Sequence, residues 1–253
     1  MDSDIIVGRN AVIEALRAGV KIEKLFIAKG ETDATLGHIA STARAAGIVV
    51  SDADKRKLDS LCQTHDKEGR KVHQGVVAIA AYAEYVTIND ILSLAQERNE
   101  KPLIIICDEI SDPHNLGAII RTAHAAGAHG IIIPKRRSAG LTATVAKASS
   151  GAVFHMPVAK VPNITAAINE LKDAGVWIYG AMPEGENDLW ETDLTDAAAL
   201  VIGSEDSGIS RLVAENCDFK VKIQMSGKLS SLNASVSAAL LLYEAVRQRR
   251  NGY

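Results

Sequence analysis

LIIICDEISDPHNLGAIIRTAHAAGAHGIII, residues 103–133, is the stretch that decides the fold. It opens with five consecutive apolar residues, 103–107, which is typical of a strand buried on both faces of a parallel sheet. A polar segment follows, then a helical pattern over 116–126 and a second apolar run over 130–133. A strand, a helix and another strand in this order predict a right-handed parallel crossover and hence an α/β fold.

The same alternation continues on both sides of this stretch. Further strands are expected at 177–179, 199–202 and 219–223, and helices at 164–174, where Asn163 is a suitable N-cap, and at 232–249. Residues 1–80 alternate short helices and strands and predict a separate small α/β domain. Residues 81–100 lose strand character and predict a linker with one short helix, which leaves 101–253 as the second domain.

Composition excludes several classes of protein. Of the 253 residues, 47% are hydrophobic and 23% are charged, and no apolar run approaches the roughly 20 residues of a membrane helix. The acidic start, Met-Asp-Ser-Asp, is unlike a secretory signal. Cys62, Cys107 and Cys217 are isolated, and no Cys or His spacing matches a metal site. We therefore expect a globular cytoplasmic protein without a bound metal.

Charge leaves nucleic-acid binding open. The net charge of −3 is unlike the basic balance of most RNA-binding domains. Lys and Arg nevertheless cluster at 55–57, 67–71, 135–137 and 247–250, while acidic residues concentrate at 184–196. Each basic cluster is either a solvated surface or a local RNA contact, and composition does not separate the two.

Three polar segments follow predicted strands, where α/β sheets gather their ligands. In the first, 108–121, Asn115 is placed to cap the helix that starts at residue 116. Arg121 lies within an otherwise apolar helical run. It is either a surface side chain or a guanidinium that reaches over the strand ends towards a phosphate or hydroxyl.

The second segment, 203–210, contains Gly203 and Gly208. It lacks the Gly-x-Gly-x-x-Gly pattern of dinucleotide-binding folds, and Ile209 stands where a P-loop needs lysine, which argues against an NTPase. The remaining interpretations are a glycine turn against which a ligand lies, with Glu205 at its mouth, or a simple tight turn capped by Ser210.

The third segment, 223–237, precedes and opens the last helix. Ser230 and Ser231 are candidate caps, and Asn233, with Ser235 and Ser237, adds polar groups to the first turns. Such residues compete with helix formation and indicate either a ligand contact or a small-residue packing face.

Together the three segments carry a resemblance. Asn115-x-Gly117-x-x-x-Arg121, Gly203-x-Glu205-x-x-Gly208 and Ser231-Leu232-Asn233-Ala234-Ser235 resemble, in order, the three motifs of the SpoU family of RNA 2′-O-methyltransferases. The sequences VGRNAV at 7–12 and VHQG at 72–75 are similar to the small substrate-binding domain of that family, so the resemblance covers nearly the whole chain. DPHNLG at 112–117 and EAVRQR at 244–249 are most similar to the branch that methylates guanosine in large-subunit rRNA.

The resemblance implies a fold, a cofactor and partners. It implies a SPOUT-type parallel sheet with a C-terminal trefoil knot, where pattern alone predicts an unknotted sheet, preceded by a ribosomal-protein-like RNA-binding domain. It implies a homodimer with the last helix at or near the interface, and large-subunit rRNA as partner. S-adenosylmethionine is the implied cofactor, held by Gly203, Gly208, Ile223, Met225, Ser231 and Leu232. The implied catalytic residues are Arg121, Asn115, Glu205 and Asn233.

The reaction sets requirements of its own. A ribose 2′-hydroxyl is a weak nucleophile, so it must be positioned in line with the methyl group, which contributes about 7–11 kcal/mol, and its developing negative charge must be stabilised. Family proposals make Arg121 a base. Since an arginine has a pKa above about 12, stabilisation of the oxyanion is physically easier. Asn115, Glu205 and Asn233 are expected to orient Arg121 and the ribose.

Three other functions remain as alternatives. A tRNA 2′-O-methyltransferase fits the same motifs, although the N-terminal domain favours rRNA. A non-catalytic RNA-binding or ribosome-assembly protein predicts degenerate motifs, which the intact Asn115, Arg121, Glu205 and Asn233 argue against. A nicotinamide-dependent enzyme requires the absent Gly-x-Gly-x-x-Gly pattern.

Overall fold

A computed structural model describes residues 5–30, 33–62, 72–227 and 231–251. These residues form two units, one made of residues 1–84 with 140–143 and the other of residues 85–139 with 144–253. Three predicted basic residues, Lys67, Arg70 and Lys71, and the candidate cap Ser230 lie outside the described residues.

The first unit is a four-stranded sheet with two helices on one face and a third on the other. In chain order its elements are β1 (Ile5–Val7), α1 (Arg9–Arg17), β2 (Ile22–Ala28), α2 (Ala34–Ala45), β3 (Val49–Ala53), α3 (Lys55–Leu61) and β4 (Val76–Ala80). The strand order is β1-β4-β2-β3, with β2 parallel to β3 and β4 antiparallel to both of its neighbours. Leu25, Leu36 and Ile39 are fully buried between the sheet and α1 and α2.

Local sequence explains two of these helices. Asp33 caps α2 by accepting a hydrogen bond from the backbone N–H of Thr35 at 2.7 Å. Asp54 caps α3 in the same way, at 2.8 Å from the N–H of Lys57. The basic cluster 55–57 therefore forms the first turn of a helix, an element that the charge pattern did not predict.

The second unit is built on a parallel sheet. Its elements are α4 (Ile88–Glu97), β5 (Leu103–Cys107), α5 (Pro113–Ala125), β6 (Gly130–Pro134), α6 (Ala143–Ala148), β7 (Val158–Val161), α7 (Ile164–Asp173), β8 (Trp177–Ala181), β9 (Asn187–Asp188), β10 (Ala198–Ile202), α8 (Arg211–Glu215), β11 (Phe219–Lys222) and α9 (Ala234–Asn251). Short 3₁₀ helices cover Ala152–Phe154 and Leu189–Glu191. The strand order is β7-β6-β5-β10-β8-β11-β9, and every strand pair recorded in this sheet is parallel. The parallel α/β architecture predicted from residues 103–133 is confirmed.

Burial follows the apolar runs. All five residues of β5 and all five of β10 are buried, because these central strands are covered by helices on both faces. Within the predicted linker, Ile88, Ile91 and Ala95 of α4 are buried, and the two isoleucines belong to the core of the second unit. Asn163 caps α7 as predicted, by accepting from the N–H of Thr165 at 2.8 Å.

Burial also determines the protonation state of two cysteine thiols. It raises the pKa of the Cys107 thiol to about 12, with a smaller contribution from Asp108, and raises that of Cys217 to about 12 as well. Both thiols are therefore protonated near neutral pH and unreactive as nucleophiles.

Candidate active site

The neighbouring strands β5 and β10 bring the first two polar segments together. Their register pairs Cys107 with Ile202, so residues 108 and 203 leave the sheet side by side. The N–H of Asp108 donates to the carbonyl of Ile202 at 2.8 Å. The buried Asp108 carboxylate accepts from the N–H of Ser210 at 2.7 Å and so fastens the far end of the 203–210 loop to β5.

Asp108 was not predicted as a site residue. The available signal was a charged residue placed directly after an apolar strand, where a buried carboxylate needs a donor from another segment. Ser210 precedes α8, but its side chain makes no capping hydrogen bond. Its role is to donate its backbone N–H to Asp108, which corrects the interpretation of Ser210 as a cap.

Asn115 is not the helix cap that the sequence suggested. The helix begins two residues earlier, at Pro113, and its cap is Asp112, which accepts from the N–H of His114 at 3.0 Å. Proline is suited to the first helical position because its missing N–H would have no partner there. The buried Asn115 side chain is thus available for another contact, and its Oδ1 accepts from Nδ2 of Asn233 at 2.9 Å.

Asn233 connects all three polar segments. Its Nδ2 donates both to Asn115 and to Oε1 of Glu205. Its Oδ1 accepts from the N–H of Ser235 at 2.9 Å and of Val236 at 3.3 Å, so Asn233 caps α9. The predicted cap at Ser231 is therefore wrong, because Asn233 occupies the position that faces the free N–H groups of the first turn.

Arg121 contacts a different segment of the same unit. It is exposed, and its Nη1 donates to Oγ of Ser150 at 3.1 Å. Ser150 has a left-handed backbone, with φ of 51°, in the turn that follows α6. That turn packs closely on α5, since a Cβ on Gly117 would lie 2.4 Å from the Cβ of Ala148. Gly117 therefore permits the close approach that gives Arg121 its partner, a partner that sequence spacing did not indicate.

A cavity of about 790 Å³ opens at the carboxyl ends of β8, β10 and β11. It is lined by all six residues predicted to hold the cofactor, and Glu205 lines it as well. The cavity and the Asn115–Asn233–Glu205 cluster therefore share a residue. The lining also includes a segment that was not predicted, Ala181, Met182, Pro183 and Glu184.

The turn at Gly203 forms one wall of this cavity. Ser204 and Gly208 exchange backbone hydrogen bonds of 3.1 and 2.9 Å, which closes the loop tightly. A Cβ on Gly203 would lie 2.1 Å from the carbonyl carbon of Gly208, so only glycine fits at this position. A ligand here can lie directly against the backbone.

The lining suits a ligand with an apolar ring and a positively charged end. Ile202, Ile209 and Leu232 supply apolar contacts, while Glu184 and Asp206 supply negative charge. The volume falls within the roughly 300–1,000 Å³ of small-molecule sites. S-adenosylmethionine has an adenine ring, ribose hydroxyls and a sulfonium, so the residues present fit it.

Known proteins are similar to this chain in sequence. Residues 102–243 match the model of the SpoU rRNA Methylase family, and residues 5–86 match the model for RNA 2′-O ribose methyltransferase substrate binding. YacO of Bacillus subtilis, named as a TrmH family tRNA/rRNA methyltransferase, is 46% identical over 97% of this chain and 96% of its own length.

Solved structures of SpoU and TrmH enzymes are also similar to this chain. The SpoU methyltransferase AviRb from Streptomyces viridochromogenes, in complex with the cofactor AdoMet, is 27% identical with a TM-score of 0.61, covering 98% of this chain and 91% of that chain. A TrmH/SpoU tRNA modifying enzyme from A. aeolicus is 30% identical with a TM-score of 0.55, covering 60% of this chain and 78% of that chain.

The fold, the cavity and these matches define an RNA 2′-O-methyltransferase that uses S-adenosylmethionine. The chain belongs to the SpoU family, also called TrmH. Within the described ranges, no helix is long and apolar enough to cross a membrane. Across those same residues, no three His, Cys, Asp or Glu side chains are grouped to hold a metal ion.

Proposed function

We propose that this protein methylates the ribose 2′-hydroxyl of a guanosine in 23S rRNA of the large ribosomal subunit. The observation that carries this target is the substrate-binding match at 5–86 on the same chain as the methylase match. The tRNA modifying enzyme aligns with only 60% of the chain and leaves about the length of that domain unmatched. An added recognition domain fits a large folded rRNA, in which a loop nucleotide must be found and presented.

The proposed site divides the work between two groups of residues. S-adenosylmethionine, when bound, supplies an electrophilic methyl group. Gly203, Gly208 and Ser231, with Ile223, Met225 and Leu232, are the residues proposed to hold it, because all six line the cavity. Asn115, Asn233 and Glu205 are proposed to bind and orient the target ribose beside that cavity, since their shared hydrogen bonds hold two amides and one carboxylate together and Glu205 lines the cavity.

Arg121 is proposed to stabilise the oxyanion that develops as the 2′-hydroxyl loses its proton. Its guanidinium stays charged at neutral pH and presents several donors in one plane. Ser150 fixes one of those donors at 3.1 Å, which leaves the others available to the ribose oxygen or a neighbouring phosphate. A preorganised donor of this kind contributes more than one that must be oriented during the reaction.

The proposed assembly is a homodimer through α9. Three large apolar side chains are exposed around this helix, with exposures of 46% for Val236, 51% for Tyr243 and 52% for Trp190. They line a groove of about 650 Å³. A second copy packing on this face would remove them from water. Light scattering on a Tyr243→Arg variant tests this, since a monomer is expected where the unaltered chain is a dimer.

Two further features are proposed on the family resemblance. The first is the trefoil knot, which requires the chain between β11 and α9 to pass through a loop of the same unit. The position of α9, packed on α5 and β10 although β11 lies two strands away from β10, is compatible with such threading. The second is action in the cytoplasm, on rRNA before or during assembly of the subunit.

The test is to map 2′-O-methyl groups in rRNA and tRNA from cells that lack the protein. Loss of one methyl group at a guanosine of 23S rRNA, restored in vitro by the purified protein with S-adenosylmethionine, is the expected result. Loss confined to a tRNA nucleotide would show that tRNA is the substrate. An unchanged methylation pattern, together with no methyl transfer in vitro, would favour a non-catalytic RNA-binding role.

A further inference from the structure

A basic loop at the carboxyl end of β6 is not used by the site described above. Lys135, Arg136 and Arg137 follow the strand directly, and Arg136 and Arg137 are exposed. β6 is the immediate neighbour of β5, whose loop leads into Asn115. The loop therefore lies at the same edge of the sheet as the candidate active site.

Contacts on both sides hold this loop in place. The N–H of Lys135 donates to the carbonyl of Val161 at 2.7 Å, which extends the pairing of β6 with β7. On the other side, the N–H of Ala139 donates to the carbonyl of Ile110 at 2.8 Å. The loop is thus fastened to the two strand ends that flank it, so its basic side chains start from fixed backbone positions.

An ion pair joins the loop to the segment that follows β5. Nη1 of Arg137 lies 2.9 Å from Oε1 of Glu109, with side-chain exposures of 78% and 30%. Both residues have left-handed backbones, with φ of 56° and 59°. This conformation is unfavourable for residues other than glycine, and exposed ion pairs contribute little stability. Two such residues facing each other beside a candidate active site indicate a conformation kept for function.

Charge at this edge of the sheet is divided between two halves. Among the described residues, neither Lys135 nor Arg136 takes part in an ion pair, so the loop keeps about two positive charges after Glu109 neutralises Arg137. The cofactor cavity on the other half is lined by three acidic residues, Glu184, Glu205 and Asp206, and by one basic residue, Lys222, so its lining remains net negative. A polyanion is repelled from the acidic half and attracted to the basic loop.

We propose that Lys135 and Arg136 bind a backbone phosphate of the RNA next to the ribose that is methylated, with Arg137 setting the shape of the loop. This proposal rests on the proposed function, since it concerns the substrate of the same site. An arginine fork matches phosphate oxygens in two parallel hydrogen bonds, and a lysine adds a point charge. Such a contact positions the strand without reading its sequence, so the loop orients the ribose while the first unit selects the RNA.

The experiment measures RNA affinity against salt for Lys135→Ala, Arg136→Ala and the double variant. Fluorescence anisotropy of a labelled rRNA fragment gives the dissociation constant, and calorimetry gives S-adenosylmethionine affinity on the same samples. Arg211→Ala is the matched control, because Arg211 is an exposed arginine of the same unit, paired with Glu215 on the surface. We expect the double variant to bind RNA about tenfold more weakly and its plot of log K against log salt to be shallower by about one to two.

A charge-preserving variant distinguishes loss of the phosphate contact from general misfolding as the cause of weaker RNA binding. Arg136→Lys is expected to keep the salt slope of the unaltered protein while losing part of the affinity, because one charge remains but the fork is lost. S-adenosylmethionine affinity is expected to be unchanged in all variants. RNA affinity and slope that stay normal in the double variant overturn the proposal.

The experiment distinguishes an error in the proposed rRNA substrate from an error in the proposed phosphate contact. If the protein methylates tRNA instead, the same variants are measured on that tRNA. A shallower slope there supports the basic loop even though the rRNA proposal is wrong, and a normal slope overturns it.

Discussion

Asn233 donates a hydrogen bond from its side-chain amide to Oδ1 of Asn115, at 2.9 Å and across 118 residues of sequence. The same Nδ2 donates to Glu205, while the Oδ1 of Asn233 caps α9. One side chain therefore starts the last helix and joins the three segments that carry the proposed chemistry. The Nδ2 of Asn233 joins the site and its Oδ1 caps the helix, so substitutions can test the two functions separately.

Asn233→Asp is expected to separate capping from catalysis. Aspartate still accepts the N–H groups of the first turn, so the melting temperature should stay near that of the unaltered protein. It cannot donate to Asn115, and it sets a second carboxylate against Glu205, so methyl transfer should fall at least tenfold. Adding Glu205→Gln should relieve the repulsion and restore part of the rate. Near-normal turnover of Asn233→Asp would contradict the proposed role of the amide.

Arg121→Ala is expected to abolish methyl transfer and leave S-adenosylmethionine affinity within about twofold, since Arg121 is not among the residues that line the cavity. Arg121→Lys should also be poor, because a point charge does not replace a planar fork. Single-turnover rates and calorimetry measure the two effects. Substantial turnover in either variant would remove Arg121 from the proposed mechanism.

Ser150→Gly tests whether Arg121 must be oriented. Glycine accepts the left-handed backbone of Ser150 but removes the hydroxyl that contacts the guanidinium. We expect kcat to fall several-fold while KM for RNA and the melting temperature change little. A purely structural role would instead lower the melting temperature and leave kcat unchanged.

Gly203→Ala is expected to weaken S-adenosylmethionine binding at least tenfold, because the added Cβ meets the backbone of Gly208 at 2.1 Å and must displace the loop. Calorimetry measures the affinity. Gly37→Ala is the control, since a Cβ there has open space around it. Equal affinities in the two variants would mean that the turn at Gly203 does not shape the cofactor cavity.

The basic turn of α3 is expected to contribute to RNA binding by the first unit. Lys57 lies 5.8 Å from the ring centre of Phe26, so the informative pair is Lys55→Ala with Arg56→Ala. We expect weaker binding of an rRNA fragment and a shallower salt dependence. Arg17→Ala, an exposed arginine of the same unit paired with Glu14, is the control. If the paired variant and the control have equal slopes, this cluster is only a solvated surface.

Stability is expected to fall on acidification because of His129. This buried imidazole accepts the N–H of Leu103 at Nδ1, 3.0 Å away, and contacts Glu100 through Nε2. Burial lowers its pKa below 6.5, against the opposing effect of Glu100. The unfolded chain therefore takes up a proton below about pH 6.5 that the folded chain refuses, so unfolding becomes easier, by at most about 1.4 kcal/mol per pH unit.

Urea unfolding across this pH range measures the effect. A His129→Gln variant should lose this part of the pH dependence, because no imidazole titrates there. An unchanged pH dependence in His129→Gln would assign the effect to other groups.

Sequence periodicity was sufficient to predict an element whose own residues form an unbroken apolar run. The apolar run at 103–107 forms a strand with the bounds that the pattern predicted. Weaker patterns failed: β1 and β7 have only three and four residues, and β7 follows a 3₁₀ turn rather than a clear strand boundary. Short strands acquire their conformation from the neighbour that they pair with.

What the sequence determined by itself was the parallel α/β fold, the family, and three polar segments placed after strands. What only the tertiary structure decided was how those segments meet. Asn115 looked like a cap and instead receives Asn233, Asp108 fastens Ser210, and Ser150 receives Arg121. Apolar periodicity reports only which face of one element avoids water. A hydrogen bond between residues far apart in sequence depends on strand order and helix packing, which no local pattern contains.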